Sequence, residues 1–118
     1  SLRVHPIFQL GPTEQVWVSF SSLQGEERKV QLKTAPGVAR DKILLQDLDR
    51  PAGEWTARNE ELGLAVRQSF VMKEVEQALL DWLPARGRFY YELVAPENNL
   101  SPQESMQMIT RYEVMALP

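Results

Sequence analysis

One pattern occurs twice in this chain and limits what it can fold into. Leu44-Leu45-Gln46-Asp47-Leu48-Asp49-Arg50-Pro51-Ala52-Gly53-Glu54-Trp55 is echoed by Leu79-Leu80-Asp81-Trp82-Leu83-Pro84-Ala85-Arg86-Gly87-Arg88-Phe89. Each copy reads as an apolar run, a Pro-Ala-(x)-Gly corner and a strand that opens near a large aromatic. Proline presets one turn dihedral and glycine accepts the left-handed one, so the pattern predicts packed β-hairpins with the aromatic anchoring the returning strand. A second run follows each copy, Ser69-Phe70-Val71-Met72 and Tyr112-Glu113-Val114-Met115. With only two copies the pattern is not a solenoid, which needs at least three units. Similar corners at equivalent places in a sandwich are the expectation.

Period-two alternation carries the same message. Val16, Val18 and Phe20 alternate with Gln15, Trp17 and Ser19, and Val30 and Leu32 alternate with Lys29, Gln31 and Lys33. That is the pattern of strands with one buried face. The polar stretch 21–27 reads as their hairpin loop. Leu2, Val4 and Phe8 suggest a first strand that Pro6 confines to a sheet edge. Residues 34–41 read as a loop, and 42–48, apolar on both parities, fit a fully buried strand or a helical turn, with the strand favoured. Trp55 and Ala57 face a return strand bearing Leu64, Val66, Phe70 and Met72.

Two segments admit competing readings. In 73–83, Val75, Ala78, Leu79 and Trp82 fall at i, i+3, i+4 and i+7 ahead of Pro84, which favours a short amphipathic helix. The repeat favours a strand there instead. In the last third, Phe89, Tyr91, Leu93 and Ala95 share one face. Met106, Met108, Tyr112 and Val114 supply a partner strand, so a long hairpin is expected. Its connection includes Ser101-Pro102-Gln103-Glu104, a capping-box match that allows one helical turn. The whole predicts a single mainly-β domain over 1–118, an antiparallel two-layer sandwich of immunoglobulin or fibronectin type with one short helix near 73–83. An α+β sheet with the helix on one face is the alternative.

Composition excludes several functions. Thirteen basic residues against sixteen acidic give a net charge of −3, with no basic stripe to follow a phosphate backbone, so nucleic acid is not an expected partner. Arg86-Gly87 opens like an RNA-recognition signature, but Arg88 and Phe89 break it, and a strand with Phe89 and Tyr91 in the core is the better reading. No apolar run is long enough for a membrane-spanning helix. Cysteine is absent, which removes disulfides, thiolate metal sites and cysteine nucleophiles together. The start at Ser1 suggests a processed product or an excised domain. The sequence leaves the compartment open, with extracytoplasmic, periplasmic or secreted, slightly favoured over cytoplasmic.

No phosphate loop, zinc spacing or nucleophile elbow is present, so no enzyme, cofactor or metal is expected. Asp47 and Asp49 lie two apart on one strand face with Glu54 past the corner, but Pro51 stands where a calcium loop needs another oxygen. Solvated carboxylates rimming a turn are the expectation, and any acid catalysis would be sought among these three. His5 is the only histidine and lacks an identifiable catalytic partner. Asn99-Leu100-Ser101 matches a glycosylation acceptor, relevant only in a secreted eukaryotic protein. Trp17 and Tyr90 fall opposite the apolar stripes of their strands and are the candidate interaction surface. The leading expectation is a non-enzymatic interaction or structural module whose partner is a protein or parent assembly. A carbohydrate-binding or small-ligand domain using those exposed aromatics is the alternative.

Overall fold

The computed structural model describes residues 3, 4, 6–95 and 110–118, and these form two antiparallel sheets packed face to face. The strands are β1 (Arg3–Val4), β2 (Ile7–Gln9), β3 (Trp17–Ser21), β4 (Glu27–Gln31), β5 (Asp41–Gln46), β6 (Glu54–Asn59), β7 (Leu64–Phe70), β8 (Gln77–Leu83), β9 (Arg88–Val94) and β10 (Thr110–Ala116). One sheet runs β1-β9-β8-β5, with β2 also on β9. The other runs β10-β7-β6-β3-β4. The two-layer antiparallel sandwich expected from the alternation is therefore what forms.

Arg3 pairs with Val94 and Ile7 with Tyr90, so β1 and β2 keep one register along β9 and make a single edge strand interrupted ahead of Pro6. That is where a residue without a backbone donor is tolerated. The order β7-β6-β3-β4 reproduces the G-F-C-C′ run of an immunoglobulin variable sheet. The opposite sheet departs from that plan, because the β8–β9 hairpin lies between β2 and β5, where immunoglobulin strands B and E are neighbours.

The core lies between the layers. Val18 and Phe20 of β3, Trp55 and Ala57 of β6 and Val66 of β7 face Leu45 of β5, Ala78, Leu80 and Trp82 of β8, and Phe89, Tyr91 and Leu93 of β9. Aromatic rings tie the layers together. Trp55 packs on Tyr91 with ring centroids 4.0 Å apart, and Phe8 contacts Phe89, Tyr91 and Tyr112 at 5.4, 5.1 and 5.9 Å.

Three expectations are corrected. The predicted helix at 73–83 is replaced by a single 3₁₀ turn at Met72–Glu74 followed by strand β8. Ala78 and Trp82, four apart, satisfy a period of 3.6 and a period of 2 equally well. Pairing decides between them: β8 is laddered on both sides, to β5 and to β9. Nor do β9 and β10 form a long hairpin, since β10 pairs with β7 along Thr110–Ala116. Both flanks of β9 are already taken by β8 and the β1–β2 edge, so the chain crosses to the other sheet. Finally, the two Pro-Gly corners are not equivalent. Pro84–Arg86 and left-handed Gly87 (φ 60°) close the β8–β9 hairpin within one sheet. Pro51-Ala52-Gly53 instead carries the chain from β5 in one layer to β6 in the other, with Gly53 at φ 88° and Pro51 bridged to Ser22. The expectations placed on Leu2, His5, 96–109 and the sequon at Asn99 lie outside the described residues.

Candidate functional site

The outward face of the β10-β7-β6-β3-β4 sheet is a polar grid set by register. Across it run Gln31, Trp17, Arg58, Ala65 and Met115 in one row and Lys29, Ser19, Thr56, Arg67 and Glu113 in the next, followed by Glu27 paired with Ser21 on β4–β3 and by Glu54, Ser69 and Arg111 on β6, β7 and β10. Trp17 thus projects outward as its parity predicts and is half-buried. The Lys29 ammonium lies 4.8 Å from its ring centroid, a cation–π contact that occupies one face of the indole. Tyr90 also projects outward, but from β9 in the other sheet. The two aromatics singled out by sequence therefore lie on opposite outer surfaces and cannot share a ligand ring.

The three acids do not converge either. Asp47 and Asp49 sit in a 3₁₀ turn, not on a strand face, because the chain leaves β5 at Gln46 and Asp47 takes a left-handed conformation (φ 54°). Asp49 reaches Arg28 at 3.3 Å, while Glu54 lies across the corner on the polar grid, 4.0 Å from Arg67. Among the described residues no group of histidine and carboxylate side chains is placed to hold a metal ion. Arg88 and Tyr90 of the basic-aromatic segment point outward while Phe89 and Tyr91 are fully buried, as the core reading required.

Sequence reasoning missed an ion pair between a buried aspartate and an exposed arginine. Asp81 projects from the outer face of β8 yet its side chain is only 3% exposed, because Arg40, at the end of the loop before β5, folds over it. The guanidinium Nε donates to both carboxylate oxygens, at 2.9 and 3.1 Å, and Nη2 donates to Oδ2. Those hydrogen bonds and the Asp81 charge raise the Arg40 pKa above its ordinary value. It fastens the loop to the sheet, a structural role. The only sequence signal was an aspartate inside an otherwise apolar run.

The two more voluminous hollows among the described residues differ in character. One, of about 410 Å³, is lined by Leu23, Pro51, Phe70, Met72 and Val75 with Arg50, Lys73 and Glu76 around it. The other, of about 340 Å³, lies on the polar grid among Ser19, Ser21, Glu27, Glu54 and Thr56. In the second the Ser21 hydroxyl donates to the Glu27 carboxylate, a pair on the exposed sheet face with no histidine beside it among the described residues.

The surface that stands out is the edge formed by β10. It is seven residues long, contains no proline, and among the described residues no strand pairs with its far side. The Leu117 N–H donates to the Gly63 carbonyl, which fixes the phase of the β10–β7 ladder. Antiparallel pairs alternate between hydrogen-bonded and non-bonded positions. Arg111, Glu113 and Met115 therefore direct their backbone groups at β7, and Thr110, Tyr112 and Val114 direct theirs at the open edge. Val114 shares the layer-facing side of the strand with Tyr112 but is 74% exposed, more than any other large apolar side chain among the described residues. On the outward side Arg67 Nη2 donates to Glu113 Oε1 at 2.7 Å. This hydrogen bond, the Glu113 charge and the Glu54 charge raise the Arg67 pKa.

No family model, curated protein or solved structure matches this chain.

Proposed function

We propose that this domain is a non-enzymatic protein-interaction module, part of a larger protein or assembly, and that it contacts its partner by strand addition at β10. The observation that carries this reading is the open backbone row at Thr110, Tyr112 and Val114 beside a 74% exposed valine on a regular strand. Edge strands with free donors and acceptors are templates for another strand, and proteins that do not use them blunt them with proline, charge or bulges. The other long edge of this sheet, β4, carries Glu27, Arg28 and Lys29, and the β1–β2 edge is broken by Pro6.

The experiment is affinity capture from the source cell with the parent and two variants. Val114→Pro removes an N–H directed at the open edge, so the β7 ladder is kept while an incoming strand is blocked. A defined protein partner captured by the parent and by Trp17→Ala but lost from Val114→Pro supports the reading. Capture that ignores Val114→Pro, or saturable turnover of a small molecule, defeats it.

Carbohydrate binding is the second reading, favoured by the half-buried Trp17, which lines a hollow of about 240 Å³ with Ser19, Lys29, Arg58 and Glu60. It requires Lys29 to leave the indole. Quenching or enhancement of tryptophan fluorescence by oligosaccharides, absent in Trp17→Ala, is its test.

A further inference from the structure

We infer that the partner strand at β10 is the β10 of a second copy of this chain, added antiparallel about a two-fold axis at Tyr112. The inference rests on β10 being the contact edge and names what occupies it. Its warrant is charge register. Centring the pair on Tyr112 sets Arg111 opposite Glu113 of the second copy, twice by symmetry, with Thr110 opposite Val114 on the layer-facing side. Centring on Glu113 would set two glutamates face to face. Centring on Val114 would leave Arg111 opposite Leu117, with no counter-charge. Opposite charges directly across a strand pair stabilise it and like charges destabilise it, so the strand's own sequence selects one register.

The ladder phase agrees with this register. Tyr112, Thr110 and Val114 are the residues whose backbone groups face the open edge, so the Tyr112 pair and both Thr110–Val114 pairs fall at hydrogen-bonded positions. Glu113 already accepts from Arg67 within its own sheet. In the paired state it lies between Arg67 and the second copy's Arg111, so the outward row reads Thr56, Arg67, Glu113 and then Arg111, Ser69, Glu54 of the second copy. Val114, the most exposed large apolar side chain among the described residues, gains Thr110 opposite it and Tyr112 on the diagonal. Of the other edges, β4 centred on Arg28 would set Glu27 opposite Lys29 but two arginines face to face, and β5 carries Asp41 and Lys42 only at its start, so no two-fold register matches opposite charges along its length.

Sedimentation equilibrium of the purified chain over a concentration series tests this, with circular dichroism to confirm that each variant is folded. The parent is expected to be a reversible dimer. Arg111→Glu or Glu113→Arg alone should weaken it about tenfold or more, since each places like charges opposite one another twice. The double variant Arg111→Glu/Glu113→Arg restores opposite charges and should recover most of the loss. Val114→Pro should be a folded monomer. A parent that stays monomeric throughout overturns the inference, as does a dimer indifferent to the charge reversals and to Val114→Pro. Should a monomeric parent still capture a different protein in a Val114-dependent manner, the second copy is overturned as the occupant while the edge reading survives.

Discussion

The Trp55 indole Nε1 donates to Gln68 Oε1 at 2.7 Å in the centre of the sandwich, and both side chains are fully buried. Gln68 passes the contact on, its Nε2 donating to the Tyr112 hydroxyl at 3.1 Å on β10. One buried amide thus joins the core indole to the edge strand. Gln68 occupies the core-facing parity of β7 between Val66 and Phe70, a polar residue at an apolar position, and the indole N–H is its reason.

Trp55→Ala is predicted to cost about 3–5 kcal/mol, the range for deleting a large aromatic from a packed interior. A domain of this size has only about 5–15 kcal/mol in total. Gln68→Leu should cost about 1–3 kcal/mol by leaving the indole N–H buried without an acceptor. Urea unfolding measures these costs, and unfolding of Trp55→Phe, Gln68→Leu and Trp55→Phe/Gln68→Leu measures the coupling. Parent-like stability of Trp55→Ala would mean that the strand parity is wrong.

Tyr91 is buried, and its hydroxyl has no hydrogen-bond partner among the described residues. Burial pushes its pKa well above the ordinary value. The fold therefore favours the neutral phenol. Its contribution is fully present below the unfolded value of about 10 and is lost as pH rises from there through the folded value. Tyr91→Phe should leave neutral-pH stability unchanged or raise it by up to about 1 kcal/mol. Thermal melts of parent and variant from neutral to strongly alkaline pH should show a smaller alkaline decline in the variant. Equal slopes would contradict the assignment.

Removing Arg40 takes away both the cover and the counter-charge of the Asp81 carboxylate and frees the loop before β5, so Arg40→Ala should lower the melting temperature. Arg40→Ala/Asp81→Leu, which removes both charges, should melt above the single variant. Identical melts for the two would show that the ion pair does not hold the loop.

Trp17→Ala should melt close to the parent, at a cost of about 1 kcal/mol or less, because the ring stacks on Lys29 at the surface and not in the core. A loss comparable to that of Trp55→Ala would place the indole inside.

Strand parity was legible in the sequence wherever a strand has one wet face: Val16, Val18, Phe20, Trp55, Ala57, Phe89, Tyr91 and Leu93 all point where alternation puts them. Partnership was not legible. Ala78 and Trp82 fit either period, and only the ladders on both flanks of β8 make it a strand. The repeated Pro-Gly corner looks the same to local dihedral preferences whether it closes a hairpin or crosses between layers, since that choice rests on which sheet has an open edge. For the same reason β10 read as the mate of β9 although it belongs to β7. Its role as an edge, and with it the candidate site, follows from topology. The aromatics Trp17 and Tyr90 were placed correctly as outward-facing, but parity alone does not reveal that their sheets are on opposite sides of the molecule.

The open edge of β10 is tested most directly by amide hydrogen exchange read residue by residue in dilute solution and again at high concentration. The account predicts alternation in dilute solution, with slow exchange at Arg111, Glu113 and Met115, whose N–H groups face β7, and fast exchange at Thr110, Tyr112 and Val114. Raising the protein concentration should slow those three amides. Uniform protection of 110–116 in the dilute chain, or no change at Tyr112 and Val114 on concentration, would contradict it.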